Sequence, residues 1–155
     1  MRAFLLALTA LMLFATTPVA AGDMKDAEAA VFRLWKPLAD QGDTHPQALI
    51  GMMYYRGAGV PKDYAKAVYW WTKAAKKRHA KAQYYCGAMY YQGTGVPEDY
   101  VLAYAWVSIA AAQGRADGKK AKAIIAKRMT PTQIAEAQKV SRELWEKYVV
   151  PFQKE

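Results

Sequence analysis

Shifted by 36 residues, the middle of this chain falls onto itself. Gly51 meets Gly87, Met53 meets Met89, and Tyr54-Tyr55 meets Tyr90-Tyr91. Gly57 meets Gly93, Gly59-Val60-Pro61 meets Gly95-Val96-Pro97, and Asp63-Tyr64 meets Asp99-Tyr100. Trp70 falls on Trp106, and Ala74-Ala75 on Ala110-Ala111. Residues 46–81 and 82–117 share 16 identities over 36 positions, far above chance. A period of this length marks units that cannot bury their apolar faces alone and do so by stacking. A fainter half-unit precedes them, with Val31, Leu34, Ala39 and Gly42 at the positions of Ala67, Trp70, Ala75 and Arg78.

Each unit reads as two helices around a tight loop. Helix A covers about 46–56 and again about 80–92. The glycines of GAGVP and GTGVP end it, and Pro61 and Pro97 bias the preceding valines toward extended backbone. Asp63 and Asp99 are placed to cap helix B. Tyr64, Ala67, Val68, Trp71, Ala74 and Ala75 share one face of that helix. Gly51 and Gly87 lie inside helix A, where glycine costs about 1 kcal/mol against alanine, so close helix packing is expected there. No segment alternates with period two, so the expected fold is all-α: two full helical units with capping helices.

The flanks read as caps. Ala27, Ala30, Val31, Leu34, Trp35 and Leu38 form one apolar stripe on an N-terminal helix within 22–45. In the C-terminal segment 118–155 the glycine and tyrosine landmarks are gone, and a short degenerate helix is expected near 119–128. Thr130-Pro131 then starts a last helix running to about 149. Residues 1–21 have a basic start at Arg2, an apolar run, and Val19-Ala20-Ala21 as small cleavage-site residues. That is the layout of a secretory signal peptide cleaved after Ala21. The mature chain 22–155 is then one exported domain, periplasmic or secreted, with no membrane span of its own.

The landmarks resemble the Sel-one-like repeat family of tetratricopeptide-like α-solenoids. Unit 1 carries Gly51, Tyr54, Gly57, Gly59, Val60, Asp63, Lys66, Ala67, Trp70, Lys73, Ala74 and Ala75. Unit 2 carries Gly87, Tyr90, Gly93, Gly95, Val96, Asp99, Ala103, Trp106, Ala110 and Ala111. Ile50 and Cys86 replace the family's leucine, and Leu102 and Ile109 replace the two lysines in unit 2. The resemblance implies that the all-α units form a right-handed α-α superhelix. It also implies protein–protein interaction in exported bacterial proteins that serve signalling, the envelope or host contact, and it implies no catalytic residue.

The residues agree with that implication. One cysteine excludes an internal disulfide framework and a cysteine-based metal site within one chain. Cys86 stands where the repeat wants a core side chain. His45 and His79 lie in inter-helix connections without clustered carboxylates, and no hydrolase or P-loop motif occurs. The expectation is no enzyme, no cofactor and no metal. Off the repeat landmarks, Leu49, Met52 and Arg56 follow helical spacing on helix A, with Tyr85, Ala88 and Gln92 one period on and Tyr55 and Tyr91 flanking. This stripe is the candidate concave binding face for another protein.

Charge offers an alternative. The formal net charge is +9. Lys76, Lys77, Arg78 and Lys81 cluster at one turn, and Arg115, Lys119, Lys120 and Lys122 one period later. Such an edge attracts anionic envelope glycan or lipid. Export and the lack of a groove-reading motif argue against nucleic acid. A cell-wall hydrolase is a third reading, for which no convergent polar site is found. With only two full units the footprint is small, so self-association is a further expectation.

Overall fold

The computed structural model describes residues 21–153. Among them are seven helices and no strand. They are α1 (Ala21–Gln41), α2 (Thr44–Arg56), α3 (Tyr64–Ala75), α4 (Ala80–Gln92), α5 (Tyr100–Ala112), α6 (Ala116–Ala126) and α7 (Pro131–Tyr148), followed by a 3-10 turn at Val150–Phe152. Helices from α1 to α6 pack in sequence order, each on the next. The result is an α-solenoid in which α2–α3 and α4–α5 are the two full units. The expected signal peptide lies outside the described residues, apart from Ala21.

Local chemistry sets the helix boundaries. Asp63 and Asp99 have extended backbone and accept from Lys66 N–H and Leu102 N–H, each at 2.9 Å. Thr130 caps α7 in a reciprocal box with Gln133, with Pro131 in the first turn. Helix A of unit 1 starts two residues earlier than the sequence suggests, at Thr44.

Glycine decides how the helices meet. A Cβ on Gly51 would sit 2.6 Å from the Trp71 ring, and one on Gly87 2.5 Å from Val107 Cγ1 and 2.9 Å from the Ala103 carbonyl oxygen. Gly87 thus lets α4 approach the backbone of α5, whereas Gly51 leaves room for the Trp71 ring against α2. Between units, a Cβ on Gly95 would fall 2.5 Å from the Tyr64 carbonyl carbon. A Cβ on Gly59 would fall 2.4 Å from the Glu28 carbonyl carbon. Glu28 is one period before Tyr64, so α1 holds the place of a helix B that precedes unit 1.

Two buried glutamines repeat in the same register. Gln47 donates to the Ala39 carbonyl at 3.1 Å, and Gln83 to the Ala75 carbonyl at 3.0 Å. Each stitches a helix A to the end of the preceding helix B. Arg78 is the one non-glycine with positive φ among the described residues, where the neighbouring units have Gly42 and Gly114. Its guanidinium donates to the Phe152 carbonyl at 3.0 Å and ties the Val150–Phe152 turn to the α3–α4 connection.

The sequence reading of α1 needs correction. The face packed on the core is Phe32, Trp35 and Ala39, joined by Ile50, Met53 and Trp70. Of the expected stripe, Trp35 and Leu38 are half-buried, but Ala27, Ala30, Val31 and Leu34 are exposed. Periodicity measured how wide the apolar arc is. It did not say which part of that arc has a neighbour.

At the other end, α7 packs on α5. Tyr148 stacks on Trp106 with ring centroids 6.2 Å apart. This explains where unit 2 departs from the repeat. Tyr69 is 53% exposed on α3, whereas Ala105 at the same place on α5 is 0% exposed. Lys73 becomes Ile109, which is 2% exposed. The outer face of α5 is apolar because α7 covers it.

Two outcomes test this packing. Gly87→Ala is expected to lower unfolding stability by about 1–2 kcal/mol, the overpacking cost less the helix-propensity gain, with Val107→Ala restoring part of it in denaturant titrations. Ile109→Lys is expected to cost about 3–5 kcal/mol or to release α7, by burying an unpaired charge. Lys73→Ile on the open face of α3 changes stability little.

Candidate partner-binding face

Helices α2 and α4 run side by side and present one face each. Between them lies a hollow of about 200 Å³ lined by Met52, Tyr55, Tyr85, Ala88 and Gln92. All five belong to the stripe expected from sequence. Leu49 and Arg56 line a neighbouring hollow of about 280 Å³ against Ala27, Glu28 and Val31 of α1. A third, about 420 Å³, runs from Leu49, Met52 and Tyr85 toward His45, His79 and Lys81. Met52 borders all three, so they form one trough. Tyr91 is not part of it. Its ring lies 5.7 Å from Tyr100, with Arg128 above it at 5.8 Å.

The floor was missed in the sequence. Trp71 is 1% exposed, and its indole N–H donates to the Ala48 carbonyl at 3.1 Å. Its ring lies 4.6 Å from Tyr85 and 5.5 Å from Tyr55. A buried indole with its N–H satisfied is a rigid platform. Tyr84 and Met89 complete the wall. One signal was available: position 71 breaks the repeat, with Trp where unit 2 has Val107. The trough is thus apolar and aromatic, with Arg56, Lys81 and Gln92 exposed on its margins.

The basic edge is differently occupied. Lys77 Nζ donates to the Gly42 carbonyl, Arg78 holds Phe152, and Arg115 pairs with Asp117. Lys76 lies over Tyr148 at 5.8 Å, Lys81 over Tyr85 at 5.8 Å and Lys122 over Tyr104 at 5.2 Å. Lys77, Arg78, His45, His79 and Gln113 border an open hollow of about 500 Å³, in which Lys77 and Arg78 are the only members of the expected basic edge. Lys119 and Lys120 stand exposed on α6.

Cys86 is 0% exposed, its thiol is pushed up to about 12 by burial, and its sulfur lies 3.7 Å from Thr72 Oγ1. Among the described residues no group of three or more His, Cys, Asp or Glu could hold a metal ion. His45 and His79 meet edge to face, centroids 5.3 Å apart. His79 caps α4, its Nδ1 accepting from Ala82 N–H at 3.1 Å. That bond needs the neutral ring. Burial, then His45, Lys81 and Arg115, hold the His79 pKa below its ordinary 6.5.

A depressed histidine pKa makes the unfolded chain the stronger proton binder. Its stabilising contribution is therefore present above pH 6.5 and is lost as pH falls below it. Thermal denaturation between pH 7 and 5 is expected to show this loss. His79→Asn, which keeps a cap without titrating, is expected to flatten that part of the profile.

Residues 47–79 and 80–114 each match the model of the Sel1 repeat. A protective antigen of uropathogenic Escherichia coli that displays an SLR fold superposes with a TM-score of 0.77, at 30% identity over 91% of this chain. A Sel1 repeat protein from Oxalobacter formigenes superposes with a TM-score of 0.58, at 37% identity over 59% of this chain. The chain spans 29% and 27% of those two proteins. No curated protein matches it. Two matched repeats, their glycine-set helix packing and these neighbours agree, and the chain belongs to the Sel1-like repeat family.

Proposed function

We propose that this chain is a noncatalytic protein-binding module, exported to the bacterial envelope or beyond it, whose partner lies across the helix-A trough. Family membership supports protein interaction in general. The observation that carries the finer reading is the hollow between α2 and α4, where five stripe residues share a Trp71 floor. Mechanism here is shape-matched burial. An apolar or aromatic side chain of the partner enters the hollow, Met52 adapts its shape, and Tyr55 and Tyr85 close around it. Arg56, Gln92 and Lys81 then offer polar contacts at the rim. Export rests on the leader-like residues 1–21.

The anionic-glycan or lipid reading is weaker on physical grounds. Three of its cations, Lys77, Arg78 and Arg115, already hold backbone carbonyls or a carboxylate within the chain. Recruiting them would cost those bonds.

A crosslinking pull-down from the native envelope fraction tests the proposal. One protein is expected to stay bound at high salt. Met52→Ala with Tyr55→Ser is expected to cut its capture about tenfold, or ~1.4 kcal/mol, with the melting temperature nearly unchanged because Met52 is half-buried and Tyr55 is 37% exposed. Capture that ignores these changes, yet disappears with salt or with Lys77→Glu and Lys120→Glu, would overturn the trough and favour the basic edge.

A further inference from the structure

Among the described residues, the helices at the two ends of the stack each leave an apolar face exposed. At the N-terminal end, α1 has the register of a helix B, and among the described residues no helix A precedes it. Val31 is 39% exposed, whereas Ala67 and Ala103 at the same register are 0% exposed. Leu34 is 66% exposed, whereas Trp70 and Trp106 are each 5% exposed. The hollow of Val31, Glu28, Leu49, Met52 and Arg56 repeats the α2–α4 hollow one period earlier: Leu49, Met52 and Arg56 stand for Tyr85, Ala88 and Gln92. It has the floor helix and one wall. A helix A placed on the other side of α1 would supply the second wall.

At the C-terminal end, α6 is a helix A without a helix B. It packs on α5, while α7, which follows it in the chain, leaves it and lies on α5 as well. The outward side of α6 carries Ala123 and Ile124, the latter 54% exposed, between Lys119, Lys120 and Lys127. Four of the seven large apolar residues that stand exposed are Met24, Val31, Leu34 and Ile124, all on these two helices.

We propose that α6 of one copy docks in the helix-A place beside α1 of the next, so that copies join head to tail. Charge favours this occupant. The first two turns of α1 bear Asp23, Asp26 and Glu28 against Lys25, Asp40 farther along being paired with Lys36, while α6 and its end bear Lys119, Lys120, Lys122, Lys127 and Arg128 against Asp117. Register agrees. Ala123 takes the place of Gly51 and Gly87, the position of closest approach to a helix B. Ile124 and Lys127 take the places of Met52 and Tyr55 as the second wall of the hollow, and that puts Lys127 toward Glu28. Such a contact joins two different faces and does not close on itself, so it grows rather than stopping at a dimer.

Sedimentation velocity across about a hundredfold range of concentration tests this, with the N-terminus of the purified chain fixed by mass spectrometry. The weight-average mass is expected to rise past that of a dimer. Asp26→Lys with Glu28→Lys, and separately Lys120→Glu with Lys127→Glu, are each expected to leave monomers with unchanged helicity and melting. Mixing the two variants is expected to restore growth, because each reversed face then meets its complement. A monomer at every concentration would overturn the proposal, as would a mixture that stays monomeric. A dimer indifferent to the α6 reversal would assign the α1 face to a second α1. Crosslinks from the chain's own leader to Leu34 would assign it to that segment, and either result overturns the head-to-tail contact.

Discussion

The fold depends on one recurring contact, the bare backbone of a loop glycine pressed against the backbone of the preceding helix B. Gly95 touches the Tyr64 carbonyl, and Gly59 the Glu28 carbonyl one period earlier. Both glycines have φ near +70°, at 72° and 69°. A side chain there would be opposed twice, by backbone conformation and by the helix beneath. This contact fixes the stagger between units. The stagger puts α2 beside α4, and the trough exists because those two helices stand side by side over α3. Trp71 then fills the gap that the helices leave and becomes the floor.

The units were legible because their landmarks answer to backbone demands that only a few residues satisfy. Glycine at the close approaches, aspartate at the caps and proline after the loop each have a local physical cause, so each signals its place without tertiary knowledge. The stripe of Met52, Tyr55, Tyr85, Ala88 and Gln92 was legible for a related reason. Repeat register plus helical spacing leaves few faces for the residues that packing does not claim. Tyr91 failed that logic because α6 follows α5 and Tyr100 draws its ring the other way.

What could not be read were the neighbours at the ends. The replacement of lysines by Leu102 and Ile109 was visible as a departure, but its reason, α7 laid over α5, is a contact far away in sequence. On α1 the apolar arc was visible and its partner was not. Phe32, Trp35 and Ala39 face the core, while Val31 and Leu34 on the rest of the arc stand exposed. Gln47 and Gln83 were identical in register and passed unnoticed, because a polar residue on a helix reads as solvated. Both are in fact buried, at 3% and 0% exposure, and bond to the preceding helix.

The end helices bear on the binding face. A trough built from two helices A has room for a short segment of a partner, and affinity grows with the number of well-packed anchors. Met52, Ala88 and Ile124 are one period apart and fall on one line along the stack. Head-to-tail joining would carry that line across the junction, with Ile124 of one copy next to Met52 of the following one. It would also supply the second wall of the α1–α2 hollow. Assembly and partner binding are then coupled through shared residues. A partner spanning a junction would hold two copies together, and joined copies would present a longer preformed surface. By linkage each process strengthens the other by the same factor. A solenoid of only two full units would in this way gain the length that more repeats in one chain would otherwise provide.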